Sequence, residues 1–166
     1  LLDLRLYSAV ADDLDGIKLI LDAGEVLPLE ELDRALHVAS ASALPLSAHV
    51  VTETGIAVML SALPSPVPVR LEHTFLCPPD TTASIAGSSA SIGAHPGFIL
   101  SQGDRLLASL SDRDLESYQP LRAWRDRGIR LFGGTDLPFA ASSPWRAMQA
   151  AVDRRTAGGA TIHPEH

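Results

Sequence analysis

Three histidines and an aspartate fall where a β/α chain collects its ligands. His49, His73 and His95 each lie at or near the end of a short apolar run, and Asp136 follows another. The runs are Leu46–Val50, Val67–His73, Ala90–His95 and Ile129–Gly134. In β/α proteins, binding and catalytic side chains gather beyond the C-terminal ends of the strands. One histidine at a strand end is usually a satisfied loop residue. Three on consecutive strands, with an acid after the next, describe a shared site. Imidazole and carboxylate donors together suit zinc and other borderline divalent ions. A site with one open position lets the metal lower the pKa of a bound water towards neutrality. Lys18 is the other anomaly, an ammonium inside the otherwise apolar run Gly16–Leu21. Burying it without a partner is expensive. Two readings stay open: Lys18 points outward or pairs with Asp15 or Asp22, or it faces a barrel interior as a charge or a carbamylated metal ligand.

The elements that must position these residues alternate along the whole chain. Leu4–Val10 and Gly16–Leu21 precede the four runs above, giving six strand candidates. Helical stretches separate them at Pro28–Leu44, Glu53–Leu63, Asp80–Ala86, Gly103–Leu110 and Leu115–Arg127, and Pro144–Thr156 follows the last. Pro28 and the acids Glu30 and Glu31 suit a helix N-terminus. Such alternation predicts an α/β fold with parallel strands joined by crossover helices. It fits an open doubly wound sheet or part of a closed barrel, and periodicity does not choose. With 166 residues the chain is read as one domain spanning 1–166, whereas a complete (β/α)8 barrel takes roughly 250.

Composition narrows the partners. The chain is 46% hydrophobic and 20% charged, too apolar for intrinsic disorder. Its mean hydropathy of +0.14 is high for a small domain, and one reading is that some apolar surface is meant to be covered by further chain. A net charge of −7, with no Lys/Arg-rich run, argues against nucleic acid and anionic membrane as partners. Cys77 is the one cysteine, so no intrachain disulfide and no cysteine-based zinc site can form. With no apolar run approaching about 18 residues, the chain reads as soluble and cytoplasmic. Gly133-Gly134 lacks the surroundings of a phosphate loop, and Gly87-Ser88-Ser89 lacks the elbow of a serine hydrolase. Trp124 and Trp145, both on helical stretches, read as packing residues.

Taken in order, Gly16-Ile17-Lys18, Leu46-Ser47-Ala48-His49, Arg70-Leu71-Glu72-His73, His95-Pro96-Gly97-Phe98-Ile99, Gly103-Asp104-Arg105 and Gly133-Gly134-Thr135-Asp136-Leu137-Pro138 resemble the metal-dependent amidohydrolase superfamily. The nearest branch is the amidohydrolase-3 group, which includes N-substituted formamide deformylase-like proteins. The resemblance runs from about Leu4 to the C-terminus and is most specific at Arg-Leu-Glu-His and Gly-Thr-Asp-Leu-Pro.

It implies a TIM-type barrel of which this chain supplies strands three to eight. Lys18 matches the position where many members carry a carboxylated lysine bridging two metals. His49 and His73 match two single histidine ligands, and Asp136 matches the aspartate that binds metal and shuttles a proton. The implied cofactor is a divalent metal, zinc, as one or two ions. The implied reaction is attack of metal-bound hydroxide on a non-peptide amide C–N bond of a small molecule. His95 stands where the family commonly has glutamine and is read as facing substrate. Arg105 is read as contacting a substrate carboxylate or pairing with a neighbouring acid. The strand-one His-x-His pair of the family does not occur in this chain. An alternative reading is therefore a non-catalytic, truncated or degenerate barrel fragment, and the expected partner is a second copy or a missing N-terminal barrel segment.

Overall fold

Five of the six expected strands form among the residues that the computed structural model describes, 15–21, 29–63, 67–140 and 142–163. The strand expected over Leu4–Val10 lies outside them. The strands are β1 (Ile17–Ile20), β2 (Leu46–Val50), β3 (Val69–His73), β4 (Ser91–Ala94) and β5 (Leu131–Gly133). Every neighbouring pair is parallel, and the order in the sheet is the order in the chain. A doubly wound sheet reverses its order at a switch point. Among the described residues no reversal occurs, so the two architectures left open by the periodicity are resolved: the sheet winds one way, as a partial TIM-type barrel does.

The two faces of the sheet differ as that winding requires. On the outer face Leu19, Leu46, Ala48, Val50, Val69, Leu71 and Ile92 are buried. They share one core with Leu32, Ala39, Ile56, Met59, Ile85 and Trp124 from the helices. The inner face is polar and layered by the strand register. Lys18, Ser47, Arg70 and Ser91 stand side by side, and Ile20, His49, Glu72, Gly93 and Phe132 form the next layer towards the strand ends.

The helices are α1 (Leu29–Ser42), α2 (Glu53–Ser61), α3 (Pro79–Ala86), α4 (Gly97–Ser109), α5 (Asp112–Glu116), α6 (Leu121–Asp126) and α7 (Pro144–Asp153). Thr52 caps α2 by accepting the Gly55 N–H at 3.1 Å. Most elements differ from the pattern-based expectation by a few terminal residues, and two helices differ more. α4 starts at Gly97 rather than Gly103, because Pro96 ends the extended run with φ −65°, already helical. The helix expected over Leu115–Arg127 is split into α5 and α6. Gln119 adopts a left-handed φ of 41°, and Pro120 has no N–H to carry the helix on. The backbone freed there bonds elsewhere, Gln119 N–H to the Phe75 carbonyl and Cys77 N–H to that of Ser117.

A second cluster, Ile99, Leu115, Tyr118, Ala150 and Ile162, joins α4 to α7. The Gly103-Asp104 motif is the clasp of this cluster. A Cβ on Gly103 would come 2.5 Å from Thr156 Cγ2, and Asp104 accepts the Thr156 hydroxyl and the Gly158 N–H. Arg154 closes α7 with a left-handed φ of 50° and is fully buried. It donates to three main-chain carbonyls, Ile162 at 2.6 Å, Gln119 at 3.0 Å and Tyr118 at 2.8 Å.

Trp124 packs in the core as expected, but Trp145 is exposed. It shares an uncovered face of α7 with Met148 and Val152, three and seven residues on, and Ile20 and Phe132 are uncovered on the inner face of the sheet. Among the described residues, no helix is long and apolar enough to cross a membrane.

Candidate metal centre

By strand alternation alone His73 belongs with Val69 and Leu71 on the outer, helix-covered face. The backbone overrides this, because His73 (φ 75°) and Thr74 (φ 48°) are both left-handed, a conformation uncommon for residues with a Cβ. The ring lies with the mouth histidines instead. Its centroid is 4.4 Å from that of His49, edge-on, and 4.5 Å from that of His95, stacked. Phe75 and Phe98, 5.0 Å apart, wall off the other side.

His95 is fixed through its backbone. The Gln119 side chain accepts the His95 N–H at 3.1 Å and donates to the His95 carbonyl at 3.3 Å. Asp136, also left-handed at φ 51°, follows Gly133-Gly134, and Gly134 N–H continues the sheet bonding to the Ala94 carbonyl at 2.9 Å. A Cβ on Gly134 would come 2.7 Å from His95 Nε2. Gly134 thus makes room for the imidazole rather than for a phosphate.

His73, His95 and Asp136 each offer a ligand atom, and these atoms lie within 4.8 Å of one another. His73 Nδ1 stands 4.0 Å from Asp136 Oδ2. Tetrahedral donors about 2.1 Å from a zinc ion stand about 3.4 Å apart, so a modest contraction would close the group on an ion. The donor set passes a second test. The Nδ1 atoms of both His73 and His95 are buried without a hydrogen-bond partner, an arrangement proteins avoid unless something else satisfies the atom. A divalent cation would do so.

The electrostatics suit neutral imidazole ligands. Burial, then the neighbouring His95 and His49, push His73 down to about 4. Burial also lowers His95, against the pull of Glu72 and Asp136. Between about pH 4 and the ordinary value near 6.5, the unfolded chain binds a proton at His73 that the folded chain does not. This contribution to stability is complete above about pH 6.5 and is lost as pH falls through 4. Chemical unfolding of the metal-free protein should therefore show a loss on the order of 3 kcal/mol attributable to His73 between about pH 7 and pH 4. That part of the pH dependence should vanish in His73→Asn; identical profiles for the two proteins would contradict it.

Of the six residues singled out in the sequence, the structure brings His73, His95 and Asp136 into one group, with His49 ring-to-ring against His73. Lys18 lies on the inner face, one register layer below His49, and is exposed. It lines a cavity of about 160 Å³ together with Arg70, Glu72, His95 and Phe132. Arg105 is exposed on α4 and lines neither that cavity nor the histidine group. In the Gly103-Asp104-Arg105 stretch, the aspartate makes the contacts. Cys77 is buried against Thr82, and burial raises its thiol pKa, so it stays protonated.

One residue of the site, Glu72, is not among the candidates read from the sequence. Glu72 is buried, and its Oε1 accepts from Ser47 Oγ at 2.7 Å and Arg70 Nε at 2.6 Å. Burial works to raise its pKa, but those two hydrogen bonds and the Arg70 charge outweigh it, and the carboxyl sits below the usual range. The signal that could have found it is the charge alternation of Arg70-Leu71-Glu72 inside an apolar strand.

No family model matches the chain. It is 28% identical over 99 residues to the N-substituted formamide deformylase of Arthrobacter pascens, a match covering 58% of this chain and 18% of that protein. Among solved structures, an uncharacterized metal-dependent hydrolase from Pyrococcus furiosus superposes with a TM-score of 0.78 at 19% identity, over 91% of this chain and 39% of that one. One from Pyrococcus horikoshii OT3 gives 0.73 at 20% identity, over 92% and 33%. The ochratoxinase of A. niger gives 0.64 at 19% identity, over 98% and 40%. These likenesses show the fold, and the chain spans 40% or less of the length of each of these proteins.

Proposed function

We propose that this chain is part of an amidohydrolase-type barrel and supplies half of the metal centre of a hydrolase. The reaction is cleavage of a non-peptide amide C–N bond in a small molecule. The observation that carries the reading is the pair of buried, unpartnered Nδ1 atoms beside a carboxylate at the strand ends. His73, His95 and Asp136 are the proposed ligands of the first ion. His49, against His73, and Lys18, one layer below and carbamylated so that it offers oxygen, are the proposed donors to a second. Zinc is the proposed metal, because neutral imidazole with carboxylate suits it. A bound ion would supply Lewis acidity and a water acidic enough to ionise near neutral pH.

The chain's own groups do the rest. Asp136 takes the proton from the attacking water and passes it to the leaving nitrogen. Phe75 and Phe98 keep bulk water from one side of His73. The cavity between Lys18 and His95 is the proposed start of the substrate channel. The similarity to a formamide deformylase supports an amide substrate.

The uncovered apolar faces at Ile20, Phe132 and α7 support pairing with a second copy or a further barrel segment. A lone, buried cysteine supports a reducing compartment, the cytoplasm. Zinc titration of the protein should show one or two bound equivalents. His73→Ala should weaken the tighter site about 100-fold, since structural zinc sites hold on the order of 10–16 kcal/mol over about four ligands. A wild-type protein that takes up no zinc, or a variant that binds equally well, would overturn the reading.

A further inference from the structure

We propose that Glu72 is the positioning residue for His95, holding the imidazole so that Nε2 carries the proton and Nδ1 presents its lone pair to the cation site. The inference rests on the metal-centre reading above and goes beyond it, assigning a role to a residue outside the ligand set. Four observations meet on this one ring. Glu72 Oε1 is fully engaged by Ser47 and Arg70, which leaves Oε2 as the free oxygen, 3.9 Å from His95 Nε2. The other ring nitrogen, Nδ1, is the buried atom without a partner. Gly93 and Gly134 together make the slot in which carboxylate and ring face each other. A Cβ on Gly93 would sit 1.8 Å from Glu72 Oε2, and one on Gly134 would sit 2.7 Å from His95 Nε2. Gln119 pins the His95 backbone from the far side, so the ring has little freedom other than rotation about its own side-chain bonds.

A metal-bound histidine commonly donates its other N–H to a carboxylate, which fixes the tautomer and strengthens the ligand. Glu72 is built for that task and for little else. Arg70, itself held over the Phe132 ring with its guanidinium carbon 5.6 Å from the centroid, keeps the carboxylate charged and aimed. The slot also accounts for the occurrence of Gly93 within a strand, where glycine otherwise weakens the structure.

The test uses the full-length protein in wild-type, Glu72→Gln and His95→Ala forms, with zinc and cobalt(II) as probes. The amide of the Glu72→Gln variant retains an oxygen for Ser47 and Arg70, so the fold is expected to survive, and thermal melting of the metal-free proteins checks this. Zinc affinity should fall about 10- to 100-fold in Glu72→Gln and at least as far in His95→Ala. In 15N-histidine spectra of the zinc-loaded wild type, the His95 ring should show a protonated Nε2 and a metal-bound Nδ1. That signature should be lost or mixed in Glu72→Gln, and the cobalt absorption spectrum should change with it. Unaltered affinity and an unaltered His95 tautomer in Glu72→Gln, with His95→Ala still impaired, would overturn the role of Glu72 and leave the metal centre standing. A wild type that binds neither probe would overturn both.

Discussion

On the proposed mechanism, replacing Asp136 with Asn should lower amide turnover at saturating zinc by about 10²- to 10⁴-fold, the range general acid–base groups supply, or about 3–5 kcal/mol of barrier. Asn retains the shape of the side chain and one oxygen that can still reach the ion, but it cannot accept the proton of the attacking water. The position favours this division. Asp136 Oδ2 stands 4.0 Å from the unpartnered His73 Nδ1, and its backbone is left-handed two residues after Gly134. The residue is partly open, unlike His73 and His95, so one edge of its carboxylate is free to meet water and substrate. Steady-state turnover on a panel of small N-acyl amides, with metal content measured in parallel, decides the matter. Full turnover in Asp136→Asn would reduce Asp136 to a ligand and remove the proton shuttle from the mechanism.

How far this site is legible in the sequence differs from residue to residue. The strands are readable because each is a short apolar run bounded by turn residues, and the strand ends identify His49, His73, His95 and Asp136 without any coordinates. What the pattern does not contain is direction. Period-two alternation assigns His73 to the outer face, and only two consecutive left-handed residues bring it to the mouth; nothing in the letters His-Thr signals that conformation. The proposed role of His95 is hidden for a related reason. Along the chain it is one more polar residue before a proline, whereas in space its ring stacks on His73 and its backbone is clasped by Gln119, 24 residues later. Glu72 is obscured by its neighbour, since a charged pair such as Arg70 and Glu72 two apart reads as a solvated edge, and the inward face of a barrel strand is the exception. The break at Gln119-Pro120 escapes the pattern because the flanking periodicity is good on both sides. The proline is the signal that should outweigh it.

The largest stability effect is expected at Arg154, which touches no ligand. Arg154→Met retains the length and removes the guanidinium, leaving the carbonyls of Ile162, Gln119 and Tyr118 buried without their donors. Burial lowers the Arg154 pKa only to about 10, so it is charged at neutral pH and its hydrogen bonds are charge-assisted. Losing them should destabilise the fold by about 3–5 kcal/mol, a fall in melting temperature of roughly 10 °C for a chain of this size. The consequence extends to the metal centre. Arg154 holds the main chain of Gln119, Gln119 holds the main chain of His95, and His95 offers the Nδ1 on which the proposed site depends. Zinc affinity should therefore fall along with stability, even under conditions where the variant is fully folded. Calorimetric melting and zinc titration of the same preparation separate the two effects. A destabilised variant with wild-type zinc affinity would show that the Gln119 clasp holds His95 without help from Arg154. A variant that loses less than about 1 kcal/mol would contradict the weight assigned to the three hydrogen bonds of Arg154.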